Sequence, residues 1–428
     1  MKPTKTIKRI RKRRFLILKK PNQTALLTTA LSFISVFEGR SFDITDALAF
    51  SVGPVDLRPI LGLSETFDDN VYYDKGDGRK SDFFTTFTAG TKLSIGREVT
   101  INPWLDFFEE ESNFLSLNYN FNNLTFAQNS NLDALNHNLT LNGRWQMNKL
   151  SLKGTSSFKT ISGLMGAGYG IKEKVDRDIY DNYYTLDYKF SEKTRFYLSG
   201  YFNATDYAKN TALYDDNSFK TITGFSLKAL PKTAFFGEVY YGQSAIDPNR
   251  PTFRKGPHMD IIGGFIGAQG NFTPHLSGML KVGVESPSFS DKTPVDTTPV
   301  AEISITHRYR ERTATTLAYR RYSYVSVQSA GVTYVSDSVS LNIQQKIGST
   351  GKWIGRASTT ATFDSYGSSL VYYDRNDQRY EFNVGLSYMI RVWAAANFNY
   401  SFELFESSYP NLIDYYVNRV TLSLVIGF

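Results

Sequence analysis

The stretch YYVNRVTLSLVIGF, Tyr415 to Phe428, is the last of the chain. Val420, Leu422, Leu424, Ile426 and Phe428 fall at alternate positions, with Arg419, Thr421 and Ser423 between them. A period of two describes a β-strand with one apolar and one polar face. The last strand of a soluble sandwich usually runs on into a polar tail; this one stops on an aromatic residue.

The same alternation recurs upstream. In ALNHNLTLNGRWQM, Leu135, Leu139, Leu141, Trp145 and Met147 share one face, opposite Asn136, Asn138, Thr140, Asn142, Arg144 and Gln146. In YEFNVGLSYMI, Tyr380, Phe382, Val384, Leu386, Tyr388 and Ile390 alternate with Glu381, Asn383, Gly385 and Ser387. Ala396, Phe398, Tyr400, Phe402 and Leu404 alternate with Asn397, Asn399, Ser401 and Glu403. Helical periodicity is almost absent after residue 55.

The connections are of two kinds. Eight short ones are expected around Gly96-Arg97, Asn148-Lys149, Ser191-Glu192, Pro231-Lys232, Thr273-Pro274, Arg310-Glu311, Ser349–Gly351 and Arg391. Nine longer polar ones are expected near 68–80, 112–133, 161–181, 206–217, 245–257, 286–296, 322–331, 364–377 and 406–414. Seventeen connections join eighteen strands; a further hairpin within 112–133 would make twenty. Short turns at one end and long loops at the other predict an all-β fold, a transmembrane antiparallel up-and-down β-barrel with periplasmic turns and extracellular loops. Closure removes every sheet edge, and in lipid it is compulsory. The final strand is therefore expected to pair with the first, VDLRPILGLSETF, and needs no tail. An even strand count puts both ends of the barrel on the periplasmic side.

Composition agrees. The chain has 428 residues, 41% hydrophobic, 15% aromatic and 21% charged, and no cysteine. Disulfides and thiolate metal sites are excluded. No run of 18 apolar residues exists, which argues against a transmembrane helix; barrels carry a weaker hydropathy signal. The net charge of +7 suggests nucleic acid until it is located. Residues 1–49 hold eleven Lys/Arg and three acids, a net of +8, so the rest of the chain sits at −1. A basic stretch to Lys20, an apolar run from Thr24 to Phe37 and a small-residue site at Ala47-Leu48-Ala49 mark 1–49 as a signal peptide. A basic arm for membrane or nucleic acid is the alternative. Residues 50–428 form the barrel, and no nucleic-acid partner is expected.

The polar alternates would face the lumen: Lys92, Arg144, Lys153, Asp187, Lys189, Lys228, Glu238, Lys281, Glu302, Arg308, Arg320, Arg356, Glu381, Glu403 and Arg419. So many charges cannot fill a dry core without costly desolvation. They imply water inside, as sixteen to eighteen strands allow. Trp104, Phe108, Tyr240 and Trp393 fall on the same face, as sugar-stacking platforms or as girdle residues. The loop 161–181 is expected either to fold into the lumen or to stay on the surface. About seven residues separate Ala49 from the first strand, too few for the N-terminal plug of a siderophore receptor.

Two stretches carry a resemblance. The alternating Val420, Leu422, Leu424, Ile426 and terminal Phe428 resemble the signal by which outer-membrane barrels are recognised for assembly. LRPILGLSETFDDNVYYD, with Asp68, Asp69, Asn70, Val71 and Tyr72, resembles the opening of the β-barrel porin 2 family of exopolysaccharide operons. The resemblance implies an outer-membrane role in polysaccharide secretion beside a periplasmic polysaccharide-export protein. It also implies contact with outer-membrane lipid, lipopolysaccharide and the barrel assembly machinery. A general diffusion porin is the alternative, and a barrel enzyme or adhesin a third reading.

Other constellations point to no chemistry. Glu109-Glu110-Glu111 reads as a strand-end rim rather than a cation site. Asp74–Gly78, DKGDG, lacks the ligand pattern of a calcium loop. GSTGKW at 348–353 lacks the first glycine and the Ser/Thr of a phosphate loop and reads as a hairpin turn. His137, His258, His275 and His307 have no metal spacing, and no G-x-S-x-G occurs. Catalytic residues, metals and cofactors are not expected.

Overall fold

The computed structural model describes residues 50–96, 112–164, 174–208, 211, 213–248, 255–292, 295–310, 312–328, 332–367, 375–391, 393–409 and 414–427. Residues 1–49, expected above to be a signal peptide, lie outside them, as do Trp104, Phe108, Glu109–Glu111 and Phe428. The strands are β1 (Phe50–Val52), β2 (Val55–Asp68), β3 (Asp82–Ile95), β4 (Phe114–Phe126), β5 (Ala134–Met147) and β6 (Leu150–Gly163). Next come β7 (Val175–Lys189), β8 (Thr194–Tyr207), β9 (Tyr214–Leu230), β10 (Thr233–Pro248), β11 (Met259–Asn271), β12 (Leu276–Phe289) and β13 (Thr298–Tyr309). The last are β14 (Thr313–Val325), β15 (Thr333–Ile347), β16 (Trp353–Tyr366), β17 (Arg375–Arg391), β18 (Ala394–Ser407) and β19 (Tyr415–Gly427).

Each strand from β2 onward pairs antiparallel with the next, and β19 returns to β2, from Arg419↔Asp68 to Gly427↔Ile60. Eighteen strands thus form a closed ring, and β1 is a short addition hairpinned onto β2. The diameter of a closed barrel grows with its strand number, and a ring of this size encloses more space than its own side chains fill.

The faces are inverted relative to a soluble protein. Leu422, Ile266, Val239 and Trp145 point outward, 60%, 69%, 64% and 55% exposed, while Lys153 and Glu285 on the inner face are almost fully buried. An apolar surface this continuous is a liability in water and is solvated in lipid. Val420, Leu422, Leu424 and Ile426 all lie on the outward face of β19. The tight turns at the other end depend on left-handed backbone. Asn148 joins β5 to β6 at positive φ, and Gly348 and Gly351, also at positive φ, join β15 to β16. GSTGKW is that second turn.

The eighteen strands are not quite the expected ones. The third was expected just after Gly96, with a loop over 112–133. Instead β4 occupies 114–126, inside the expected loop. Its inward face carries Asn118, Asn120 and Asn122, and amides in a row imitate a loop composition. The extracellular loops are also shorter than expected, since β7, β9 and β17 begin at Val175, Tyr214 and Arg375. Past the lipid level both faces of a strand turn polar. Alternation then fades while pairing continues.

Candidate functional site

The inner wall divides into a packed half and an open half. In the packed half, aromatic rings lie flat over glycines of the neighbouring strand. A Cβ on Gly224 would meet the Tyr197 ring at 2.1 Å, one on Gly263 the Tyr240 ring at 2.3 Å, and one on Gly267 the Phe236 ring at 2.5 Å. Only glycine lets these rings rest on the wall instead of projecting into the lumen. Tyr240 and Phe265 stack with centroids 5.4 Å apart, and Phe265 meets Tyr322 of β14 edge-on at 6.0 Å. Ile222, Tyr240, Phe265 and Val300 form a buried apolar cluster there.

Charges are threaded through this half as a bonded network. Tyr197 Oη donates to Glu238 at 2.6 Å, and Lys281 Nζ lies 3.2 Å from Glu302 and 3.9 Å from Glu238. Glu302 also accepts from Arg320 at 3.1 Å and from Tyr322 Oη at 2.8 Å. Tyr240 Oη donates to Glu285 at 2.8 Å. Such burial is tolerable because each carboxylate is met by donors.

Glu285 has a second task. The β13–β14 pairing stops at Ala301↔Arg321, although β14 continues to Val325. Past that point β14 leaves β13, and its Ser323 N–H donates to Glu285 of β12 at 2.6 Å. The chain then bends into the lumen. Tyr214 N–H of β9 donates to Val327 O at 3.1 Å, and Arg375 Nη1 of β17 donates to Gln328 Oε1 at 2.6 Å. Residues 323–328 therefore partition the extracellular mouth, with β9–β14 and their packed interior on one side. The loop 161–181 was expected either to fold into the lumen or to stay on the surface; its ends belong to β6 and β7, and 165–173 lie outside the described residues. The structure places an inward segment after β14.

The open half runs from β15 through β19 and β2 to β6, whereas Thr185, Asp187, Arg195 and Ser199 on the inner faces of β7 and β8 are buried beside β9 and β10. Ser336, Ser338, Ser340 and Asn342 line β15, Ser358, Thr360 and Thr362 line β16, and Asn118, Asn136, Asn138 and Asn142 line β4 and β5. None of these is fully buried. At the boundary, Arg320 points inward yet keeps 57% of its side chain exposed. A guanidinium so exposed on an inner face stands in water, as the bore of a barrel with this many strands allows.

At the outer end of the seam between β2 and β19, the first extracellular loop turns inward. Arg419 Nε donates to Asp68 at 2.6 Å, and Arg419 Nη2 donates to Tyr73 Oη at 2.9 Å. Tyr73, in left-handed backbone, meets Tyr415 edge-on at 5.0 Å. Asn70, fully buried, donates to Tyr416 O at 2.9 Å and Asp74 O at 2.8 Å. Asp69 accepts from the backbone and side chain of Asn418, both at 2.8 Å, and pairs with Arg79. The Asp68–Tyr72 stretch is thus the clasp of the ring. Gly76–Gly78 in the same loop is a single 3-10 turn.

All fifteen charged residues singled out above stand on strand positions of inward parity. Glu238, Lys281, Glu302 and Arg320 are brought into one cluster, and Glu403 and Arg419 approach to 3.7 Å. Arg356 donates to Ser387 Oγ at 2.9 Å. Lys92, Arg144, Lys153, Lys189 and Arg308 stand near the short-turn end, with Lys228 at a bulge in β9. Trp393 is not inward: it sits exposed in the turn before β18. Tyr240 is inward, but Gly263 lies under its ring, Phe265 stacks on it and Lys220 Nζ stands 3.7 Å from its centroid, so no face is left for a sugar. Sequence reading missed Arg58, Arg195, Lys220, Glu285, Arg375 and Asp377. The last three sit at strand ends next to or inside the expected loops.

No family model matches the sequence, and no curated protein does. Among solved structures the chain is similar to OccAB4 of Acinetobacter baumannii, at 9% identity over 87% of this chain and 98% of that one, TM-score 0.43. It is similar to OpdK of Pseudomonas aeruginosa, solved with vanillate, at 10% identity over 87% and 99%, TM-score 0.46. It is also similar to the siderophore receptor PirA of P. aeruginosa, at 9% identity over 87% and 80%, TM-score 0.43. The chain's own geometry is decisive: a closed ring of eighteen strands, apolar toward lipid and wet within, makes it an outer-membrane β-barrel channel.

Proposed function

We propose that this barrel passes small hydrophilic solutes by diffusion through the open half of its lumen. The observation that supports this reading is the exposed inward side chain of Arg320 facing a wall of Ser, Thr and Asn. Hydroxyl and amide groups exchange hydrogen bonds with water and with polar solutes alike, so such a lining is permissive rather than selective. Export of a polysaccharide rests on the resemblance over Asp68–Tyr72, and those residues fasten the seam, a task that says nothing about cargo.

Liposomes containing the purified protein should swell in isosmotic arabinose and more slowly in a trisaccharide. Liposomes impermeable to both sugars would refute the proposal. Loss of secreted polysaccharide from a strain lacking the chain, together with impermeable liposomes, would favour polymer export instead.

A further inference from the structure

Arg356 of β16 stands partly buried on the inner face of the open half. Its Nη1 donates to Ser387 Oγ of β17 at 2.9 Å, and its Nε is shut off from solvent without an acceptor. Among the described residues, no carboxylate lies within ion-pair distance of this guanidinium. Inward arginines on nearby strands differ. Arg320 of β14 pairs with Glu302, Arg375 of β17 with Asp377, and Arg419 of β19 with Asp68.

The register leaves a gap beside Arg356. It lies opposite Gly385 of β17, and Gly385 lies opposite Asn399 of β18. Gly385 faces inward and fills nothing. A Cβ there would stand 3.3 Å from Asn399 Oδ1, so the Asn399 amide overhangs the glycine from the far side. On the near side, Gln344 of β15 lies opposite Arg356. Gln344 is only 9% exposed, and its amide has no hydrogen-bond partner among the described residues. A partly buried cation without a counter-charge and a buried amide without a partner both cost free energy. Fold stability therefore gives no reason to set them side by side.

We infer that Gln344, Arg356, Ser387 and Asn399 form an oxyanion niche over Gly385, where a small carboxylate or phosphate is held briefly during passage. The guanidinium presents several N–H donors in one plane, and the two amides add neutral donors at its flanks. The Ser387 oxygen accepts from Arg356, which leaves its own proton for the anion. The bare position 385 lets that anion rest against the wall. One net positive charge holds it weakly, and a solute that is to cross must leave again. The inference rests on the channel reading above and names a class of solute for it.

The full barrel in a planar bilayer, bathed in dilute KCl, tests both readings and separates them. Inorganic phosphate or acetate should reduce the single-channel current saturably, and arabinose at the same concentration should not. Comparing the two anions tells a phosphoryl from a carboxyl preference, and saturation by either supports the niche. Arg356→Gln should raise the half-blocking concentration about tenfold, and Arg356→Lys by less. Gly385→Val keeps every donor but fills the gap, and should raise it too while the open channel still conducts. The absence of any conductance refutes the channel itself. Conductance that neither anion reduces saturably overturns the niche and leaves the channel standing, as does block that Arg356→Gln leaves unchanged. Where a variant does not assemble, the unaltered protein in detergent decides. Acetate should shift the Gly385 amide resonance and leave that of Gly143 on β5 in place, and an unmoved Gly385 overturns the inference.

Discussion

Asp68 and Arg419 are directly opposed in the β2–β19 register and joined by a 2.6 Å hydrogen bond across 351 positions of sequence. This pair closes the ring. The seam it guards is paired only from Ile60 to Asp68, whereas β2 meets β3 along its whole length. Side chains supplement the missing backbone bonds, with Thr66 and Thr421 hydroxyls 2.9 Å apart further along. Arg419→Met strands the buried Asp68 carboxylate and should cost about 3 kcal/mol. The folded, fast-migrating gel species should then melt at a lower temperature. An unchanged midpoint would show that backbone pairing alone holds the seam.

Gly283 stands on the inner face of β12, and a Cβ there would lie 1.9 Å from Gly264 O of the adjacent strand. The obstacle is backbone, so no side-chain rotation relieves it. Gly283→Ala should destabilise the barrel by about 1–3 kcal/mol, read as a lowered denaturant midpoint in detergent. Gly200→Ala, where nothing lies within 4 Å, serves as the control and should be near neutral.

Leu422 faces lipid midway along β19 and is 60% exposed. Leu422→Arg places a charge in hydrocarbon and should cost about 2–4 kcal/mol. Thr421→Arg, one residue away and pointing into water, should cost less. Comparing the two in bilayer refolding checks the orientation of the whole strand, and equal penalties would contradict it.

The loop after β2 should loosen in acid. Burial works to raise the Asp69 carboxyl, but hydrogen bonds from Asn418 and the neighbouring Arg79 outweigh it and hold the group below its ordinary 3.8. In the same rim, the Ser407 backbone N–H, with help from Lys75, holds Asp414 down despite burial. Carboxyls depressed in the folded state stabilise it above their unfolded values, and that stabilisation is lost as pH falls through the folded ones. The protection of residues 69–81 from hydrogen exchange, taken relative to the intrinsic rate at each pH, should therefore fall below about pH 4. The strands away from Asn418 and Ser407, which these two carboxylates do not touch, should remain protected.

Arg375 holds the inward segment after β14 through Gln328. Arg375→Ala releases that end and should raise single-channel conductance. Gln328→Ala should act in the same direction, and lower conductance in both would place the narrowing elsewhere.

The barrel was legible because its alternation is obligatory. Leu135 through Met147 cannot be read another way, and a lipid-facing strand must repeat that pattern. Closure followed from edges that lipid does not tolerate. What escaped the sequence was set by neighbours far away in the chain. Asn118, Asn120 and Asn122 belong to a strand because the lumen is wet, a fact about the ring and not about the segment. Glu285 is bonded to β14 only because that strand leaves β13. In the sequence, Tyr240 is left between a sugar platform and a girdle position because nothing local announces Gly263 beneath its ring. The seam was expected between the right strands, but the role of Asp68 and Asn70 as its clasp depended on residues near 418.

Because the flat-lying rings fill one side of the bore, perimeter and throughput are decoupled in this molecule. Deleting a hairpin from β10–β13 would slim the cylinder with little change in what flows through it, whereas the same excision from β15–β18 would throttle it. Bore here is governed by which arc is furnished, and evolution or an engineer can retune permeability without altering the number of strands.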